Sequence, residues 1–268
     1  MQLVFLGCGD EHGVPRVGCD CDVCDSALTR VSRNRRSCPS VLLRYGPSYA
    51  ERTVLIDAAP EFRLQTTGLN QRQFDALLLT HSHDAHILGL STLANAQRQA
   101  GKPLAVHAPS QVLEGARERF AQLWADKTYR RTWQAQAIEG DIDLWGLKVS
   151  PLRVNHGIGG TAFGYVLTEG ERRVAYISDM LQASDQVRQA LIDLDLLVLG
   201  ASHYYEDIDV WKRSIMDIVA ALGLIREVEP RRAVLTHLSH TIDYASISAR
   251  LPSEVCLAHD GLVLEVGT

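Results

Sequence analysis

The 268-residue sequence contains no apolar run long enough to span a bilayer, so a membrane-crossing helix is excluded. Its start, "MQLVFLGCGDEHG", has no basic n-region, and its apolar stretch is too short for a signal peptide. A cytoplasmic location is therefore expected. Positive charge is not in excess either: a formal net charge of -5 gives no general pull toward nucleic acid or an anionic membrane. Any phosphate must then be recognised locally. No low-complexity tract or internal repeat interrupts the chain. With 46% apolar and 22% charged residues, the composition is globular, and residues 1–268 are expected to form one domain with a sizeable core.

Without an export signal, the six cysteines should stay reduced, and their clustering suggests metal ligation before disulfides. "GCDCDVC" places Cys19, Cys21 and Cys24 as CxCxxC. Thiolates that close together suit a tetrahedral zinc with a fourth ligand from elsewhere, although three buried or free thiols would read the same way. Cys8, Cys38 and Cys256 fit better as small buried residues.

Short β-type runs bounded by Gly, Pro or Asp recur along the chain, with helical patterns between several of them. The helical patterns include "HILGLSTLANAQRQA", "SQVLEGARERFAQLWA", "SDQVRQALID" and "DVWKRSIMDIVAALGLIREV". An α/β fold follows. Five strand-like runs, "LLLTH", "LRVNH", "VAYISD", "VLGASH" and "AVLTH", each deliver a His or Asp where the chain leaves a sheet. Five such ends can line one pocket.

Histidine is scarce, with 10 in the chain, yet "THSHDAHILGL" holds three within six positions. In an extended exit from a strand, His81 and His83 point the same way, and His86 follows in the first turn of a helix. A single His at a strand end is usually an ordinary hydrogen-bonded residue. Three together, with His156, Asp179 and His237 at other strand ends, point to a metal site of nitrogen and oxygen donors suited to zinc, manganese or iron, with zinc or manganese the expected ion.

These residues resemble the HxHxDH signature of the metallo-β-lactamase superfamily, which continues with a distant His, an Asp and a final His. The resemblance implies a four-layer αββα sandwich. It implies one ion held by His81, His83 and His156, and a second held by His86 and His237, with Asp179 bridging them. The departure is Ala85, where the family has an aspartate ligand. Asp84 is a poor substitute, because neighbouring helical side chains diverge by about 100°; it is expected beside the site, supporting rather than binding the ion. One tight ion, or two with the second loosely held, are the alternatives.

Within the superfamily, "GVPRVGCDCDVC", "RRSCPSV", "NHGIGGTAFGY", "LTHLSH" and "DGLVLEV" resemble the phosphoribosyl 1,2-cyclic phosphate phosphodiesterases of the carbon-phosphorus lyase pathway and their relatives. That resemblance implies a structural zinc on Cys19, Cys21, Cys24 and His240. It also implies a catalytic role for His203 without metal ligation, and support of the site by Asp57. The expected reaction is hydrolysis, by a metal-activated water, of small cyclic or diester phosphates, with a small-molecule phosphate ester as the partner. Thioesterase or lactonase activity is the alternative within the superfamily, and a catalytically degenerate, ligand-binding member is another, supported mainly by Ala85. "RVSRNRRS" supplies Arg30, Arg33, Arg35 and Arg36, read as a solvated face from which one guanidinium could clamp a terminal phosphate. His12, His107 and His259 carry no assigned role, and a homodimer is left open.

Overall fold

A computed structural model describes residues 1–29, 31–69, 71 and 73–267. One seven-stranded sheet contains β1 (Gln2–Gly7), β2 (Ser40–Tyr45), β3 (Arg52–Ile56), β4 (Ala76–Leu78), β5 (Leu104–Ala108) and β6 (Trp133–Ala137) in sequence order. The second sheet runs through β7 (Ile142–Leu144), β8 (Leu147–Asn155), β9 (Thr161–Glu169), β10 (Arg172–Ile177), β11 (Leu196–Gly200), β12 (Ala233–Thr236) and β13 (Val255–Leu257). The last strand, β14 (Val263–Glu265), returns to pair with β1. Each sheet is mixed: β3 to β6 and β10 to β13 pair in parallel, and the remaining pairs are antiparallel.

The strands read as near-continuous apolar runs because both faces of each sheet are covered. Side-chain alternation divides them. Leu3, Phe5, Val41, Leu43, Val54 and Ile56 face a shared core with Leu147, Tyr165, Tyr176 and Val198 of the other sheet. The intervening Val4, Leu42, Leu55 and Leu77 pack instead with Leu90, Leu93, Val112 and Ala116, from helices outside the first sheet. Leu197, Leu199 and Leu235 do the same with Val187, Ile218 and Ile225 outside the second. Three apolar layers therefore separate helix, sheet, sheet and helix, which is the expected αββα sandwich. None of the described helices is long and apolar enough to cross a membrane.

Two helical patterns are interrupted. "HILGLSTLANAQRQA" breaks between the helices Asp84–Ile87 and Leu90–Ala100, where the Gly89 amide donates to Ala58 O at 2.8 Å. A side chain on Gly89 would stand 2.4 Å from Ala59 O, so only glycine permits this approach. The stretch "DVWKRSIMDIVAALGLIREV" is α-helical only over Ile218–Val228, where Asp217 caps the helix through the Ala220 amide.

Candidate metal centre

The candidate ligands sit just past the ends of β4, β8, β10 and β12. Thr80, buried after β4, donates its amide to Asp57 Oδ1 and its hydroxyl to Asp57 Oδ2, both at 2.8 Å. The same Oδ2 lies 2.7 Å from His86 Nδ1. A carboxylate can only accept, so Nδ1 carries the proton and His86 Nε2 is left as a lone-pair donor aimed inward. His156 repeats the arrangement: its Nδ1 donates to Ser214 O at 2.9 Å. His237 Nδ1 meets Ser202 Oγ at 3.1 Å, and His81 Nδ1 meets Thr80 Oγ1 at 3.0 Å. Asp57 and His237 both hold positive φ, 62° and 58°, a backbone conformation uncommon for residues with side chains.

Asp179 stands at the centre. Its Oδ1 is 3.3 Å from His237 Nε2 and 3.8 Å from His156 Nε2, and its Oδ2 is 3.4 Å from His86 Nε2. Burial alone would raise the Asp179 carboxyl, but His237, His86 and His81 around it hold it well below the usual range. Burial, reinforced by His86, pushes His81 well down, so it is neutral and able to ligate. Burial would also lower His237, but Asp179 beside it lifts it to about 9.

His81, His83 and His156 bring donor atoms within 4.8 Å of one another, and so do His81, His86 and Asp179. The first trio is the one expected. In the second, His86 and Asp179 are joined by His81, and His237 reaches Asp179 with its ring stacked 6.2 Å from that of His86. Among the described residues, His81 Nε2 and Asp179 Oδ2 are buried without a hydrogen-bond partner. Buried polar atoms are rarely left so. The donor set therefore fits a divalent metal.

Ala85 is buried against Cys38 and Ala59 and lines the cavity without offering a donor. Asp84 neither replaces it nor supports a ligand by hydrogen bond. Its carboxylate turns to the surface and pairs with Arg119 Nη2 at 2.6 Å. The helical divergence expected from the sequence is what separates the two side chains.

His203 is not among the residues lining the cavity of about 670 Å³ that opens over these ligands. Its Nδ1 lies 3.0 Å from Thr241 Oγ1 and 3.2 Å from Ser239 Oγ, and its Nε2 faces Glu206 at 4.0 Å. Of the arginine run, Arg36 departs from the solvated reading. It is buried and donates to Ser239 O at 3.0 Å and Ile242 O at 2.7 Å. Arg33 lies over the Tyr244 ring and Arg35 is exposed, and none of these three lines the cavity. Arg30 lies outside the described residues.

The sequence reading missed Glu11, His12, Arg119 and Ser214, all of which line the cavity. "GDEHG" offered a weak signal for the first two. His107 is buried on β5, and His259 Nδ1 lies 3.1 Å from Asp260 O, both away from the cavity.

The second donor cluster brings Cys19 Sγ, Cys21 Sγ and Cys24 Sγ to 3.3, 3.6 and 3.8 Å from His240 Nδ1. A tetrahedral zinc with ordinary bond lengths sets such an S···N edge at about 3.6 Å, so the cluster has the right size to close around one ion. The Cys24 amide and then His240 lower the Cys21 thiol to about 6, which favours the ligating thiolate. Cys8 and Cys38 are buried as expected, and Cys256 is partly so.

The chain is 30% identical to an octanoyltransferase of Porphyromonas gingivalis over 98% of its own length, and it spans about half, 51%, of that relative. It is 25% identical to coenzyme PQQ synthesis protein B of Methylobacterium nodulans, covering 99% of this chain and 100% of that protein. Among solved structures it superposes on a diphosphatase of the PhnP family with a TM-score of 0.86 and 28% identity, covering 99% of this chain and 98% of the other. It shares the fold of Zn(2+)-bound PqqB from Methylobacterium extorquens, with a TM-score of 0.81, 23% identity, and coverage of 99% and 100%. Residues 52–238 match the beta-lactamase superfamily domain, and the chain belongs to that superfamily.

Proposed function

We propose that this protein is a metal-dependent hydrolase of small phosphodiesters, cyclic or linear. The observation that carries the reading is the convergence of His81, His86, His156 and His237 on Asp179, with His83 beside His81 and His156, and with His81 Nε2 and Asp179 Oδ2 buried without a hydrogen-bond partner among the described residues. His81, His83 and His156 would hold one zinc or manganese ion, and His86, Asp179 and His237 would contribute to a second. When bound, such ions supply an acidified water and a positive charge for a phosphoryl oxygen.

The chain's own residues prepare the site. Asp57 fixes the His86 tautomer and Ser214 O fixes that of His156, so both rings present Nε2 without reorganisation. The Cys19, Cys21, Cys24 and His240 cluster, as a structural zinc site, and Arg36 both tie the N-terminal loop to the segment after His237. Both thereby hold that ligand's strained backbone. The likeness to a PhnP-family diphosphatase supports a phosphorus substrate over a thioester or lactone. His203, its Nδ1 held by Thr241 Oγ1 and Ser239 Oγ, keeps Nε2 for proton transfer to a leaving group that reaches it.

Elemental analysis of the purified protein, joined to a panel of phosphodiester, diphosphate, thioester and lactone substrates, tests the reading. Metal-dependent turnover of a diester, lost in His81→Ala, is the expected result. Preferential turnover of a thioester or lactone would replace it, and tightly held metal with no turnover of any ester would make the protein a degenerate, ligand-binding member.

A further inference from the structure

We infer that Arg119 is the specificity-determining residue of this cavity: it takes a second anionic group on the substrate, a phosphate beyond the scissile one, and Asp84 holds the guanidinium in place until that group arrives. The inference rests on the phosphodiesterase reading for the identity of the scissile bond. It rests on separate observations for the second anionic group.

Among the described residues that line the cavity, Arg119 is the one arginine or lysine. Glu11 and Asp84 also line it, so the other ionisable side chains a doubly charged substrate would meet there are carboxylates and histidines. A guanidinium is permanently charged, and its planar fork matches a phosphate with two parallel donors.

Its position is built by packing. Arg119 ends the helix Ser110–Arg119, one turn beyond Gly115 and on the same face. A side chain on Gly115 would stand 2.5 Å from Ser82 Oγ and 2.7 Å from Ser82 Cβ, so glycine is what lets this helix lie directly on the loop that carries the candidate ligands. Ser82 and Asp84 flank His83. The helix therefore meets the ligand loop at Gly115–Ser82 and again at Arg119–Asp84, and the second contact leaves the guanidinium over the cavity.

The pair is suited to exchange. Arg119 and Asp84 side chains are 52% and 59% exposed, and an ion pair so open to water holds its members weakly. Only Nη2 contacts Asp84, so the remaining donors face solvent or an incoming ligand. An anion of higher charge can displace the carboxylate without leaving either partner buried and uncompensated.

Two matched probes test this: the p-nitrophenyl ester of thymidine monophosphate, and the same ester carrying a second phosphate on the free sugar hydroxyl. The metal-loaded enzyme should prefer the second, mainly through KM, by about tenfold or more, the size of one good charge-assisted phosphate contact. Arg119→Ala should bring the ratio of the two kcat/KM values close to one, Arg119→Lys should restore part of it, and Asp84→Asn should raise it.

Calorimetry with thymidine monophosphate and thymidine bisphosphate gives the same comparison without turnover. If Arg119→Ala, folded by circular dichroism, leaves the bisphosphate preference unchanged, or if the wild type has none, the inference is wrong whether or not any diester is cleaved. If the binding preference holds and depends on Arg119 while neither ester is hydrolysed, the anion subsite stands and the diester reading fails.

Discussion

Asp57 Oδ2 lies 2.7 Å from His86 Nδ1, and the same carboxylate receives the amide and hydroxyl of Thr80, the residue that leads into His81. One buried carboxylate thus orients two separate candidate ligands. Asp57→Asn can offer a donor where His86 also donates, which turns an attraction into a clash of N–H groups. Metal affinity should fall by about 10- to 100-fold, as for other groups that orient metal-binding histidines. Competition against a chelator measures it, and an unchanged affinity would remove Asp57 from this role.

Ala85 occupies the cavity wall where the superfamily signature places a carboxylate. With one charged donor fewer, the ion nearest His86 should bind more weakly than the one on His81, His83 and His156. After dialysis, the catalytic centre should retain less than two metal equivalents. Ala85→Asp should raise the retained amount. Two tightly held equivalents in the unmodified protein would contradict this expectation.

The Cys19, Cys21, Cys24 and His240 cluster predicts one further zinc, held independently of the histidine centre. Cys24→Ser should remove one equivalent by elemental analysis and make the loop before β2 more sensitive to protease. Because the same segment carries His237, activity should fall as well, although no residue of the cluster lines the cavity. Full activity after loss of that zinc would uncouple the two sites.

Asp260, which accepts from Ser37 and Cys8, has its carboxyl pushed up to about 6, chiefly by burial and against those hydrogen bonds. In the unfolded chain the same group titrates near 4. Between those values the folded protein binds a proton that the unfolded chain has released. Its stabilising contribution is therefore fully present below about pH 4 and is lost as pH rises through about 6. Some solvent contact discounts the effect to roughly 1–2 kcal/mol. Urea denaturation of wild type and Asp260→Asn at pH 5 and pH 7.5 should show their difference changing in that direction; an equal difference at both values would place the titration elsewhere.

Much of the architecture was legible in order along the chain. Alternating apolar residues such as Leu3, Val4, Phe5 and Leu6 announce strands covered on both faces, and His81, His156, Asp179 and His237 each follow such a run. Local spacing also anticipated that Asp84 would diverge from Ala85, because helical geometry is set within one turn. What the sequence by itself determined is the set of donors and the strand ends that carry them, since residue type and periodicity are local properties. Only the tertiary structure decided how those donors group, that Arg36 is a buried clasp, and that Arg119 reaches the cavity. Those outcomes depend on contacts between segments distant along the chain, such as Gly115 on Ser82 and Arg36 on Ser239, and no pattern within either segment encodes where the other will lie.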